Sequence, residues 1–437
     1  MLLLKGRCCE LDRRIKSLDL RIGGTAHSTQ LRWDEDKRGD LVFWATVPLL
    51  PVGKDRRDEI RALLSFPDRD TESVDLGTVV LKANIEPEFQ ARVEPVSKAS
   101  GPLVAICMAT YNPPLDLFER QIESIRQQSH ANWVCVVYDD ASEDSAFEAM
   151  QAVVAGDTRF HVFRGATRLG FYNNFERCLA LVPEAADYVA LADQDDYWHT
   201  DKLESLLGAF DGSATLVYSD MNLVTREGAL IAPTFWSSRP NNHTDIASLL
   251  LQNCITGAAS MFRRSLLNIM LPFPQRVAWP YHDHWIGCVA LASGEVRYIG
   301  RPLYDYVQHD ANVIGHRAFP GRAAHRYGAR LSRFLWKVLT SPRSRAKLLS
   351  EWQAVYFQET LPTQIFARVL ALRVDRDGDK SRAVRMVGRL ENSPLTWAWL
   401  AFRGLRLIWR TPESLGREYV MLRGAFWLQI SRLRRGL

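Results

Sequence analysis

No uninterrupted apolar stretch in the 437 residues reaches the roughly 18–20 needed to cross a bilayer, so no membrane-spanning helix is expected. The start, Met1 to Glu10, has three leucines followed by Lys5 and Arg7, too short an apolar core for a secretory signal. Cysteine is scarce: the 7 are scattered apart from Cys8 and Cys9, and none forms a C-x-x-C pair. That excludes a disulfide framework and a cysteine-based zinc site; buried, reduced thiols of a cytosolic protein are expected instead. The Gly-x-Gly-x-x-Gly of dinucleotide-binding folds does not follow the first buried strand, where Thr110-Tyr111-Asn112-Pro113-Pro114 stands. Neither a nicotinamide dehydrogenase nor a P-loop enzyme is indicated.

What is present is ordinary in bulk and uneven along the chain. The composition is 47% hydrophobic and 24% charged, which excludes a disordered or low-complexity chain. The length suits two or three domains. A formal net charge of +5 conceals a split. Residues 317–437 carry 24 Lys+Arg against 8 Asp+Glu, and residues 1–316 carry 31 against 42. An acidic body with a basic tail is polarised, and its two ends suit different partners.

Three regions follow from the patterning. Residues 1–98 read as a β-rich, sandwich-like accessory module, with strand-like runs at Leu41–Val47 and Gly77–Ala83. From 99 to 316 strands and helices alternate. Leu103–Met108, Trp133–Tyr138 and Tyr188–Ala192 are continuous apolar runs, as expected of strands buried on both faces. Leu115, Phe118, Ile122 and Ile125 fall at helical spacing between the first two. This order predicts an open, mostly parallel α/β sheet that binds its ligands at the strand carboxyl ends. Residues 317–437 read as basic and helical. Over Leu395–Arg410, Arg403, Arg406 and Arg410 share one narrow arc of a helix while Trp397, Leu400, Phe402, Leu405, Leu407, Ile408 and Trp409 cover much of the rest. That pattern suits a helix lying on an anionic membrane surface. The plainer alternative is a packing helix with a solvated arginine face; no nucleic-acid-binding motif accompanies the basic charge.

The candidate chemistry sits at the strand ends. Asp193-Gln194-Asp195-Asp196 places three carboxylates in four residues, which repel one another unless solvated or bound to a cation. A hard Mg²⁺ or Mn²⁺ ion there would leave positions open for phosphate oxygens. The alternative is a solvated acidic turn capping a helix. Asp139-Asp140 ends another strand, where a carboxylate can accept from a nucleobase N–H or ribose hydroxyl, or merely shape a turn. In Tyr281-His282-Asp283-His284-Trp285 the carboxylate between two imidazoles suits general-base work, and His-x-His suits zinc less well for want of further ligands. His309, after the strand-like Tyr304–Gln308, could complete a metal sphere.

Taken in order, these pieces resemble the glycosyltransferase family 2 catalytic domain, of GT-A fold, from Leu103 to Gly315. The matching segments are Ala109-Thr110-Tyr111-Asn112, Tyr138-Asp139-Asp140-Ala141-Ser142, Arg168-Leu169-Gly170-Phe171-Tyr172-Asn173-Asn174-Phe175, Ala192–Trp198, Gly257–Arg264, His282-Asp283-His284-Trp285, and Tyr306–His309 leading to Asn312. The resemblance implies that Thr110, Tyr111, Asp139 and Asp140 line the nucleoside pocket, with Asp140 at the nucleobase and Arg168 near the donor phosphates. It implies Asp195 as the ligand of the donor-bound metal, Asp193 nearer the ribose and sharing the metal's Asp-x-Asp signature, His309 as a further ligand, and Asp283 as the base. The implied reaction is an inverting sugar transfer from a nucleotide-sugar, dTDP- or UDP-linked, to a hydroxyl.

The His-Asp-His-Trp and Tyr-x-x-Gln-His segments look most like bacterial polysaccharide rhamnosyltransferases, which implies dTDP-rhamnose as donor and an O-antigen-like product. The acceptor would be a lipid-linked oligosaccharide or growing glycan, met by a cytoplasmic enzyme held peripherally at the inner membrane, beside other polysaccharide-assembly proteins. The competing readings are a metal-dependent hydrolase or phosphodiesterase built on the same carboxylates, and an inactive carbohydrate-binding scaffold.

Overall fold

The structure is a computed structural model that describes residues 2–8, 17–22, 25–33, 41–47, 56–66, 70–81, 93, 100–236, 241–278, 281–309, 342–374, 378–405, 414 and 416–433. The N-terminal strands are β1 (Leu2–Cys8), β2 (Ser17–Ile22), β3 (Thr25–Ser28), β4 (Gln30–Trp33), β5 (Leu41–Val47), β6 (Arg56–Ser65) and β7 (Glu72–Leu81). They form two antiparallel sheets, β1-β5-β4 and β3-β2-β6-β7. Alternation along β2 buries Leu18, Leu20 and Ile22, which share their side of the sheet with the buried Ala62 and Leu64 of β6.

The body is one nine-stranded sheet in the order β10-β9-β8-β11-β15-β13-β16-β12, with β14 on β13. Its strands are β8 (Val104–Thr110), β9 (Trp133–Asp139), β10 (Phe160–Arg164), β11 (Tyr188–Ala192), β12 (Tyr197–Trp198), β13 (Ala214–Thr225), β14 (Leu230–Ala232), β15 (Ser260–Arg263) and β16 (Glu295–Gln308). The four strands β10-β9-β8-β11 are parallel, as the unbroken apolar runs of β8, β9 and β11 predict. Beyond them the sheet is mixed: the short β15 runs antiparallel to β11 and β13, and β16 is again parallel to β13. This is an α/β architecture of the kind the GT-A resemblance implies.

The helices of the body are α1 (Leu115–Arg126), α2 (Asp144–Val154), α3 (Phe171–Ala180), α4 (Lys202–Gly208), α5 (Ile246–Leu251), α6 (Leu267–Met270) and α7 (His282–Ser293). In α1, Phe118, Ile122 and Ile125 are buried as expected, joined by Leu117. Leu115 is exposed, because it opens the first turn directly after Pro114. The five described cysteines of this body are all free and buried.

Five further helices follow: α8 (Pro342–Val355), α9 (Leu361–Arg373), α10 (Asp379–Gly388), α11 (Pro394–Gly404) and α12 (Arg417–Leu433), with a π-helical turn at Tyr356–Thr360. They pack on the back of the body. Phe366 of α9 meets the rings of His284 and Trp285 at 5.5 and 5.3 Å, and Arg373 donates to the carbonyls of Ile269 and Met270. The polar arc expected to face lipid is corrected here. Arg403 is buried, and its guanidinium donates to Asp245 (2.6 Å) and Ser248 (2.9 Å) and lies 3.8 Å from Glu418. Arg406 and Arg410 lie outside the described residues. What α11 and the residue after it expose instead is apolar: Leu395, Phe402 and Leu405. Among the described residues no helix is long and apolar enough to cross a membrane.

Candidate active site

The carboxyl ends of β8, β9 and β11 lie side by side, so Thr110, Asp139 and Ala192 deliver their successors to one edge of the sheet. Asp139 is wholly buried. It accepts from the Ser142 backbone N–H (2.9 Å), the Ser142 hydroxyl and Thr110 Oγ1 (3.4 Å), with Arg164 at 3.7 Å. Those are the surroundings of a turn residue behind the crevice. Asp140 acts one step further out: its two oxygens accept from the N–H groups of Leu169 and Gly170, each at 2.7 Å. The loop carrying Arg168 is thereby tied to the end of β9. Gly170 sits at φ +83°, where an L side chain is strained. The Arg168 guanidinium stacks 3.8 Å over the ring of Tyr111.

Two residues that were given no role in the sequence hold this edge together. Gln194 accepts from the Tyr111 N–H (2.8 Å) and donates to the Tyr111 carbonyl (3.3 Å), locking the end of β8 to the loop after β11. An amide can give and take at once, which an ionised aspartate in its place could not. Asn174 of α3 donates to the carbonyls of Thr110 (3.2 Å) and Tyr138 (3.1 Å). The sequence signal for both was an uncharged amide inside a matched motif.

On the other side of the crevice, β12 pairs antiparallel with β16, Tyr197 opposite Asp305, which brings the end of β16 back beside the acidic tetrapeptide. His309 Nε2 lies 2.9 Å from Asp195 Oδ2. Asp196 points inward and accepts from the Val307 N–H at 3.3 Å. Beneath it the fully buried Lys202 donates to the Ala258 carbonyl, with its ammonium 3.8 Å from the Trp198 ring and 4.4 Å from that of Tyr304. Burial, then the charges of Asp195 and Asp283, push Asp193 up to about 7, against the pull of Lys202. Asp196 is raised chiefly by burial and Lys202 lowered by it.

Among the described residues no group of three or more His, Cys, Asp or Glu side chains is gathered closely enough to hold a metal alone. Asp195 and His309 supply one oxygen and one nitrogen donor. A hard divalent ion that takes its remaining ligands from phosphate oxygens and water needs no more, so this donor pair fits such an ion.

Asp283 stands in the first turn of α7, facing the charge of Asp193. Its Oδ1 accepts from the His284 N–H (2.7 Å) and from Asn253 Nδ2 (3.1 Å). Burial lifts it to about 7, while the N–H groups of His284 and Gly257 and the Asn253 amide hold it down. The flanking imidazoles do not join it in a zinc site. His284 turns away to the Leu249 carbonyl (2.7 Å), and His282 stacks on Phe175 with centroids 3.8 Å apart. Two residues apart on a helix, they point to different sides.

The structure thus brings Thr110, Tyr111, Asp140 and Arg168 to one flank of the crevice and Asp193, Asp195, His309 and Asp283 to the other, with Asp139 behind. Residues 105–270 match the family model described as glycosyl transferase family 2. The chain carries a family 2 glycosyl transferase domain. Over 156 residues it is 28% identical to TuaG of Bacillus subtilis, a glycosyltransferase named for teichuronic acid biosynthesis, covering 36% of this chain and 61% of that one. It is 26% identical over 171 residues to WfgD of Escherichia coli, named a UDP-Glc:alpha-D-GlcNAc-diphosphoundecaprenol beta-1,3-glucosyltransferase, covering 38% and 62%. The chain therefore spans about three fifths of the length of these relatives. Among solved structures, Staphylococcus aureus TarS 1-349 aligns at 14% identity over 77% of this chain and 92% of that one, with a TM-score of 0.41. The glycosyltransferase domain contains every expected site residue except Asp283 and His309, which lie beyond residue 270 on α7 and after β16.

Proposed function

We propose that this chain transfers a sugar from a nucleotide-sugar to a hydroxyl of a cell-surface glycan by a single inverting displacement. The observation that carries this reading is the placement of Asp283: a buried carboxylate raised to about 7, close enough to Asp193 for their charges to interact, on the flank that also holds Asp195 and His309. A base with that affinity takes a proton from an acceptor hydroxyl near neutral pH and, unlike a free carboxylate, holds it. One displacement with a base on the acceptor side needs no covalent intermediate and inverts the anomeric centre.

Asp195 and His309 would hold a Mg²⁺ or Mn²⁺ ion, whose charge offsets that of the departing diphosphate. Arg168, stacked on Tyr111, presents a guanidinium on the donor flank. Asp140 shapes the loop that carries it, and Thr110 forms the floor. Asp193, held partly protonated by burial and then by the charges of Asp195 and Asp283, suits a hydrogen bond to a ribose hydroxyl.

The finer assignments rest on resemblance and kinship. The His-Asp-His-Trp and Tyr-x-x-Gln-His segments favour dTDP-rhamnose as donor. The name of WfgD favours a UDP-sugar and an acceptor on a diphosphate-linked lipid. Such a lipid-linked acceptor would be met by a peripheral enzyme on the cytoplasmic face of the membrane, beside other assembly proteins, and the exposed Leu395, Phe402 and Leu405 would supply the contact. The division into 1–98, 99–316 and 317–437 assigns accessory, catalytic and attachment roles in that order.

The test is a thermal-shift screen of dTDP-, UDP- and GDP-sugars with Mg²⁺ or Mn²⁺, since a ligand bound to the native state raises its Tm. One nucleotide class should shift the wild type only with metal, and Asp195→Ala should lose that shift. An equal shift in Asp195→Ala would contradict the metal assignment.

A further inference from the structure

Gly257 opens a 3-10 turn beside α7, and its N–H helps to hold the Asp283 carboxylate. The approach depends on the absence of a side chain. A Cβ at 257 would lie 2.7 Å from His282 Nε2 and 3.6 Å from both His282 Cε1 and Leu191 Cδ1. The imidazole has nowhere to retreat. It stacks face to face on Phe175, 3.8 Å between centroids at 18°, and meets the edge of Phe171 at 6.2 Å. Neither ring nitrogen of the buried His282 has a hydrogen-bond partner, and burial keeps the ring neutral. In a neutral ring with its proton on Nδ1, the edge at Nε2 carries a lone pair and no hydrogen. That edge lets a backbone come closer than a C–H or N–H would.

We propose that Gly257 and His282 are positioning residues: the contact between glycine and imidazole fixes the Gly257 N–H on the carboxylate and so sets the base strength of Asp283. The inference rests on the reading of Asp283 as the proton acceptor. Asp193, just past the end of β11, is the titratable group whose charge interacts with Asp283, with Lys202 beneath it; His284 faces Leu249, and the ring of His282 stays uncharged.

Loss of one backbone N–H from a carboxylate shifts its titration upward, here by about one pH unit. Gly257→Ala and His282→Ala are each expected to do this. The first pushes the turn away, and the second removes the wall that holds it. In Gly257→Ala/His282→Ala the methyl enters the space vacated by the ring, so the pair should lie closer to wild type than either single change. The titration is read without substrate, as the pH dependence of the Tm difference between each protein and its Asp283→Asn counterpart. Unmoved titration in His282→Ala, or additive shifts in the pair, overturns the inference, and His282→Ala serves even if Gly257→Ala does not fold. The pH–rate profile is the second readout: its acid limb should move by the same amount with the donor KM unchanged. A titration that moves while the acid limb stays fixed would instead show that Asp283 is not the base.

Discussion

A carboxylate at the start of a helix ordinarily enjoys the positive end of the helix dipole, which lowers its pKa. For Asp283 burial outweighs that dipole and the donors around it. Two consequences have definite signs. Transfer needs the ionised form, so kcat should fall tenfold per pH unit below about 7 in a pH–rate profile. Stability runs the other way. The folded pKa lies above the unfolded value, so the ionised group costs stability in full above about 7; the cost shrinks as the pH falls below 7 and is gone only below about 4, where the unfolded carboxyl is protonated too. Asp283→Asn should therefore raise the Tm at pH 8, by the equivalent of about 2–4 kcal/mol, and raise it by less than half as much at pH 5. Thermal melts at the two pH values check this. A base strong enough to work is here one that the fold would rather not ionise.

At the scale of elements, the loop between β10 and α3 hangs on one side chain. Asp140→Ala frees the Leu169 and Gly170 N–H groups, and calorimetry should show nucleotide-sugar affinity reduced by about tenfold or more with Mn²⁺ still required. The strands that present this loop were legible because they are covered on both faces, and Leu103–Met108, Trp133–Tyr138 and Tyr188–Ala192 are unbroken apolar runs as a result. The mixed half of the sheet was not. The four residues Ser260–Arg263 of β15 have no period of their own and are fixed by pairing with β11 and β13. The strand-end aspartates could be read from position alone, but their division of labour could not. Asp139 and Asp140 are adjacent, yet one is spent on Ser142 and the other on a loop some 30 residues on. Gln194 and Asn253 stayed unassigned because their partners, Tyr111 and Asp283, are distant in sequence.

For the molecule as a whole, the split between acidic body and basic tail has a structural counterpart, though not the simple one. Part of the tail's charge is turned inward: Arg403 neutralises Asp245 of the body and Glu418 of α12. Arg403→Ala leaves carboxylates without their cation and should destabilise the protein by about 3–5 kcal/mol, visible as a lowered Tm. Helical periodicity could mark Arg403 as lying on the helix's polar side but not that the body would take that side. Because α9 packs on α7 through Phe366, cutting the tail away would disturb the site itself. Membrane attachment is better tested by Leu395→Asp with Phe402→Asp, which should abolish co-sedimentation with anionic vesicles and leave transfer to a soluble acceptor intact. The central claim, that Asp283 is the base of a sugar transfer, is tested most directly by calorimetry of donor binding with Mn²⁺ beside single-turnover transfer in Asp283→Asn. The account predicts wild-type donor affinity with transfer reduced by about a thousandfold or more. Transfer at the wild-type rate would contradict it.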